Sequence, residues 1–264
     1  MSGPQMLPVG GTHFAEKMIL SILRRYVPDP GVDDPNILDG TGHGAVRDTE
    51  GELTFTGDGT TTEFTLSPPD VGSPVVAVYS VRVGTTQKLY GFDYLINWGD
   101  RFGTPQQKAT KLLFLEPPTL GQTLYVPYRY GKRIVSERGE LVALGSFINT
   151  GFSRGAMPLP KIQCILEEDT MEAVGIGDNW DSELQMGNYW HKIRFRCTVM
   201  SLYADECKTL TDKCVSALMK AAHDNNYLMP EIKPDRIINI DYDLDQKAYV
   251  RVFQFSVISR EIFG

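Results

Sequence analysis

The sequence predicts an α+β protein: a sheet packed with two helices, carrying an inserted small antiparallel β-sandwich. Three observations predict it. Two stretches, residues 13–26 and 205–224, carry apolar residues at helical spacing. Residues 53–131 break into short strand-like runs punctuated by turn residues, with no helical run between them. Residues 189–200 alternate apolar and polar side chains, the period of a strand with one covered face.

Taken in order, Phe14, Met18, Ile22 and Tyr26 recur at helical spacing, Thr12 is placed as the N-cap, and Pro28 stops the helix. From Val27 to Glu52 there are seven acids (Asp29, Asp33, Asp34, Asp39, Asp48, Glu50, Glu52) against the single base Arg47, in a stretch rich in Gly and Pro. That composition reads as a mobile acidic loop. Leu53–Thr56 is then a strand, Gly57-Asp58-Gly59-Thr60 a turn, and Glu63–Leu66 a strand returning from it. Val75–Val83, Lys88–Ile96, Lys111–Leu115 and Thr123–Tyr130 complete the set, about six strands in all. Pro127 is expected to put the last of these at a sheet edge, because proline has no N–H for a ladder.

Beyond Lys132 the pattern changes. Glu137–Asn149 fits a short helix or an extended linker equally well. Lys161–Glu167 is a strand. In Tyr189–Met200, Ile193, Phe195, Cys197 and Val199 point one way and Lys192, Arg194, Arg196 and Thr198 the other. The second helix has the stripe Cys207, Leu210, Cys214, Ala217, Leu218 and Ala221, with Asp205 at its positive end. Arg236–Tyr242 and Ala248–Ile258 form a closing hairpin. The first helix is too short to fold alone, so it is expected to pack with the C-terminal part. Residues 1–52 and 132–264 then make one domain, with residues 53–131 inserted into it.

Composition excludes several functions. No apolar run approaches the ~20 residues of a membrane span, and the N-terminus lacks the pattern of a secretory signal, so a soluble protein made in a cytoplasm is expected. The net charge of −7 argues against a protein that coats nucleic acid. Cys164, Cys197, Cys207 and Cys214 form no CxxC pair and are expected to be reduced core residues.

No catalytic, cofactor or metal site is expected. Gly40-Thr41-Gly42-His43-Gly44 lacks the Lys-Ser/Thr of a phosphate loop. Asp241, Asp243 and Asp245 alternate like a calcium loop, but Gln246 and Val252 stand where Gly and Glu are required. His13, His43, His191 and His223 are scattered. Ser146 and Ser153 lack a nucleophile elbow. Glu167 and Glu168, adjacent on a strand, are expected on opposite faces, too divergent to flank one substrate.

Two segments carry resemblances. Gly57-Asp58-Gly59-Thr60-Thr61-Thr62-Glu63-Phe64-Thr65-Leu66 resembles the opening of small β domains of phage tail and fibre proteins. The Val75–Val83 strand, Phe92-Asp93-Tyr94, Glu116-Pro117-Pro118 and Val126–Tyr130 follow in the order those domains show. The remaining chain resembles the tail terminator (tail completion) and head–tail joining proteins of tailed phages. The helix His13–Tyr26 matches that family's opening helix, Pro160–Glu167 its Pro-led strand and Trp190–Met200 its Trp-led strand. Asp205–Asp224 matches the helix that follows, and Tyr249–Ile258 the ending. Residues 53–131 and the acidic loop depart from the family's pattern.

The resemblance implies a structural virion protein, not an enzyme, made in the bacterial host cytoplasm. It would form a homohexameric ring at the head–tail neck, against the tail tube protein and head-completion or connector proteins. Genomic DNA would pass through without specific binding, an expectation an acidic protein suits because binding DNA needs clustered cations. Two surfaces are singled out. Lys192, Arg194 and Arg196 are candidate ring-interface residues, where Arg would meet a neighbour's acids. The acids Asp29 to Glu52 are candidates to face the lumen or a partner. Two other readings stay open: a baseplate or collar protein that attaches fibres, and a glycan-binding module using Tyr90, Phe92, Tyr94, Trp98 and Phe102 as a stacking platform.

Overall fold

The computed structural model describes residues 12–28, 37–38, 48–68, 75–97, 109–131, 133–136, 141–143, 147–150, 159–173, 180–181, 186–222, 231–245 and 247–263. In chain order the elements begin with α1 (Thr12–Tyr26), β1 (Ile37–Leu38), β2 (Asp48–Thr56), β3 (Glu63–Thr65), β4 (Val75–Val78), β5 (Arg82–Val83) and β6 (Thr86–Gln87). Next come β7 (Tyr94–Asn97), β8 (Lys111–Phe114), β9 (Thr123–Gly131), β10 (Arg133–Ser136), β11 (Leu141–Ala143) and β12 (Ile148–Thr150). The chain ends with β13 (Lys161–Ala173), β14 (Trp180–Asp181), β15 (Met186–Ser201), α2 (Ala204–Ala222), β16 (Glu231–Ile237), β17 (Asp241–Asp243) and β18 (Ala248–Phe263). The protein is mixed α+β, mostly sheet, with two helices among the described residues.

The inserted lobe has two antiparallel sheets. One runs β2-β9-β5-β6, with β4 also on β9; the other runs β3-β8-β7. They meet through apolar side chains, with Phe55 of β2 5.2 Å from Phe64 of β3. The turn at Gly57 therefore joins no hairpin: β2 pairs with β9 and β3 with β8, so the chain changes sheet there. Gly57 is required at that corner, because a Cβ would come within 2.5 Å of the Thr119 carbonyl oxygen. Asp58 holds the turn by accepting the amides of Thr60 and Thr61, at 2.8 and 2.6 Å.

Three strand expectations change. Val75–Val83 is interrupted between β4 and β5. Lys88–Ile96 is a turn at residues 91–93 leading into β7 rather than one strand. The Pro127 strand is central, flanked by β2 on one side and by β4 and β5 on the other. Proline is tolerated there because its carbonyl, and hence its nitrogen, faces the break between β4 and β5, where the Tyr79 amide donates to the Pro127 oxygen at 2.8 Å. No ladder donor is missed.

The second lobe is a seven-stranded sheet ordered β12-β13-β15-β18-β16, with β14 on β15 and β17 on β18. Among the described strand pairs of this sheet, β12–β13 alone is parallel. The Glu137–Asn149 segment is extended where described, as β11 and β12. A small separate sheet runs β1-β10-β11. β15 and β18, 16 residues each, pair from Gly187↔Phe263 to Ser201↔Tyr249 and form the spine.

The alternation seen in the sequence holds. Ile193, Phe195, Cys197 and Val199 are buried with Phe253, Phe255 and Val257 of β18, and Phe195 stacks on Phe255 at 5.3 Å. All six residues of the α2 stripe are buried, and α2 lies against β15, β16 and β18. Tertiary packing of that stripe, rather than propensity, holds the helix in place.

Helix α1 departs from its expected one-sided pattern. It packs against α2, β12 and β13, as the insertion argument requires, but also against β4 of the inserted lobe. Residues 17–24 are all buried as a result, including Lys17, Ser21 and Arg24. A helix between two lobes has no solvent face to advertise.

Two of the four cysteines depart from the expected reduced core state, and two keep it. Cys164 of β13 lies directly across from Cys197 of β15, and the two form a disulfide; Cys207 and Cys214 are free and buried. Their Cα atoms are 4.2 Å apart, the close spacing of a non-hydrogen-bonded antiparallel pair. Strand register decides this pairing, and sequence spacing does not encode register.

Candidate functional site

The surface that carries the Lys192–Arg194–Arg196 row is the sheet face opposite the helices. The alternation of β15 points these three cations away from the core residues Ile193, Phe195 and Cys197. Two bulges flank the row, one on the adjacent β13 and one on β16, which lies one strand further out beyond β18. On β13 the register shifts between Leu166 and Glu168; in the β16–β18 pairing it shifts between Pro234 and Arg236.

A bulge inserts one residue and re-aims its neighbours. Here it overturns the expectation that Glu167 and Glu168 diverge, because both reach the cation row. Arg194 pairs with Glu168 at 2.6 Å and with Asp235 of β16 at 3.6 Å, and Arg196 lies 3.7 Å from Glu167. The Gln254 amide donates to Glu167 at 2.6 Å and the Ser256 hydroxyl to Asp235 at 2.6 Å, so β18 fixes the carboxylates from the middle. Arg194 and Arg196 are thus matched to acids of their own chain. Lys192 has no ion pair among the described residues. The pairs are two-fifths to one-half exposed on the arginine side, which limits each to about 0–1 kcal/mol. Their geometric effect is larger: they set a fixed charge pattern across four strands.

A second arginine arrangement lies at the joint between the lobes. Arg129 of β9, only 3% exposed, donates to the Arg24 and Arg25 carbonyls at 2.8 Å each. These carbonyls belong to the last turn of α1, where acceptors lack helical partners and cations are favoured. Arg24, 2% exposed, donates in turn to the Ile148 carbonyl of β12 at 3.1 and 2.9 Å. Tyr79 connects outward, accepting from Arg129 at 2.9 Å and donating to Glu50 at 3.0 Å. Burial, the largest influence, raises the Tyr79 phenol above its ordinary value of 10.0.

This redraws the acidic segment. Asp48, Glu50 and Glu52 stand on β2, a strand of the inserted lobe, rather than in a loop. Glu50 joins the Tyr79–Arg129 chain, and Glu52 faces Arg82 at 4.0 Å. Asp29, Asp33, Asp34 and Asp39 lie outside the described residues, as do the Gly40–Gly44 motif, Ser146, Ser153 and His223. Nothing in the sequence spacing pointed to Arg24 or Arg129. A cation in the last turn of a helix was the one available signal.

The remaining candidates separate. Tyr90 and Tyr94 are core residues, 2% and 3% exposed and 5.6 Å apart in an edge contact. Phe92 is exposed, and Trp98 and Phe102 lie outside the described residues, so the described aromatics form no stacking platform. Asp241, Asp243 and Asp245 belong to the β17–β18 hairpin, where the Asp243 carboxylate accepts the Asp245 amide at 2.9 Å. No group of three His, Cys, Asp or Glu side chains among the described residues is arranged to hold a metal ion. No described helix is long and apolar enough to cross a membrane. No family model, no curated protein and no solved structure matches the chain.

Proposed function

We propose that the chain is a structural subunit of a tailed-phage particle with a tail-terminator-like domain, assembling as a homohexameric ring at the head–tail neck. In this reading it ends the tail tube, joins it to the head and leaves the channel open for DNA. The observation that carries the reading is the long sheet: two 16-residue strands paired along 15 positions, helices on one face, and a fixed charge pattern on the other. Such a sheet offers a broad, charge-patterned face to neighbours.

The element order supports it. The buried Pro160 leads β13, α2 follows β15, and the β17–β18 hairpin comes last, in the order of the family resemblance, although β15 begins at Met186 and not at Trp190. The net charge of −7 suits a lumen through which DNA slides without sticking. Deleting residues 30–46 tests whether the acidic segment contributes: normal assembly and DNA ejection would remove it from the lumen role.

The deciding experiment mixes the purified chain with tail tubes and images the product by negative-stain microscopy. Six-fold density capping one end of each tube is expected. Trimers, or density at the far end of the tail, would move the assignment to a baseplate or collar protein that attaches fibres, a reading the fibre-type inserted lobe also fits.

A further inference from the structure

One end of the long sheet is apolar and exposed. At the β17–β18 hairpin Leu244 is 80% exposed and Tyr242 46%, and Asp241 and Asp245 flank them. Neither Asp241 nor Asp245 has an ion pair among the described residues. Tyr242 is braced edge-on by Tyr249 at 5.1 Å, and Tyr249 lies opposite Ser201, which precedes the exposed Leu202 and Tyr203. The hairpin therefore presents two exposed apolar side chains flanked by two carboxylates, with Lys247 exposed beyond them.

A surface of opposite character lies between the end of α1 and the outer side of α2. It is an open groove of about 410 Å³ whose lining includes the apolar Tyr26 and Ala217 and the cations Lys213 and Lys220. Lys220 sits 4.9 Å over the Tyr26 ring, which holds the ammonium at the edge of the groove. Asp212, also in the lining, is matched by Arg251 at 3.2 Å, whereas Lys213 and Lys220 have no ion pair among the described residues. A small-molecule site encloses most of its ligand; this open shape instead accepts a protruding side chain.

We propose that the Asp241–Asp245 hairpin of one copy seats in the Tyr26/Lys213/Lys220 groove of the next, making the head-to-tail contact between subunits. This rests on the ring reading above and names the surfaces that would build it. Leu244 and Tyr242 would supply the apolar anchor, and two unmatched carboxylates would meet two unmatched ammoniums. Because the two surfaces differ, the contact is heterologous: repeated, it closes into a ring or runs on as a filament, according to the rotation between copies. The charges also make assembly weaken with salt.

The test is a charge exchange on the full-length chain, read by native mass spectrometry and sedimentation up to the highest soluble concentration. D241K/D245K alone and K213E/K220E alone should each lose the oligomer while keeping the wild-type circular dichroism spectrum and melting temperature. Mixing the two variants should restore it, because every basic hairpin then faces an acidic groove and every acidic hairpin a basic one. L244A should weaken assembly without altering its salt dependence.

An oligomer that persists in both charge variants, or one that mixing does not restore, would overturn the contact and leave the ring reading standing on the tube-capping experiment. A wild-type chain that stays monomeric throughout would also overturn it, whereas the ring reading fails only if tubes carry no ring.

Discussion

The molecule uses arginine in two contrasting regions. At the joint between the lobes, Arg24 and Arg129 are buried and donate to backbone carbonyls of β12 and α1. On the open sheet face, Arg194 and Arg196 are half exposed and pair with carboxylates of neighbouring strands. A buried guanidinium whose donors meet fixed carbonyls cannot be removed without leaving those acceptors dry and unsatisfied. An exposed one can fall back on water. The first region is built for strength and the second for pattern.

The largest expected effect lies on the covered side of the strand that carries the open-face row. C164S/C197S, or reduction of the wild type, opens a cross-link between residues 33 apart, and should cost about 3–4 kcal/mol in chemical denaturation. Burial pushes Cys207 up to about 11, and raises Cys214 further, so both should resist alkylation near neutral pH until the fold opens.

Breaking the joint should come next. R129M should cost roughly 3 kcal/mol by urea denaturation, with R129K recovering only part, since an ammonium is a poorer match to the two carbonyls that the guanidinium fork spans. R194A should cost at most about 1 kcal/mol, and that loss should shrink at high salt while the R129M loss persists. Equal salt sensitivity of the two would erase the contrast between the regions.

The smallest effect sharpens the comparison in the inserted lobe. The Thr61 hydroxyl, then the Thr61 and Thr60 amides, hold the exposed Asp58 carboxyl well below its ordinary value of 3.8. Its contribution is therefore fully present above that value and is lost as pH falls below it. Melting D58A beside the wild type should show a gap of a few degrees or less at neutral pH that closes under acid.

How legible this was depends on distance along the chain. The α2 stripe and the β15 alternation are local periodicities, and the structure keeps them residue for residue. The outward aim of Lys192, Arg194 and Arg196 follows from the same period. What they pair with does not, because a single inserted residue near Glu167 turns both glutamates to one face. The disulfide and the centrality of the Pro127 strand are consequences of register, and the burial of α1 is a consequence of its position between lobes. None of these leaves a mark in a window of ten residues.

The pairing of β2 with β9 has one more consequence. Asp48, the first residue of the inserted lobe's opening strand, faces Gly131, the last residue of its closing strand. Entry and exit are therefore one strand spacing apart, about 5 Å. For the host fold, a lobe of some eighty residues presents the same end-to-end gap as a tight turn, and holding that gap closed demands little of the chain that carries it. Chain closure therefore sets little limit on what can hang there; the limit comes from α1, whose face against β4 and whose carbonyls held by Arg129 any replacement would have to cover.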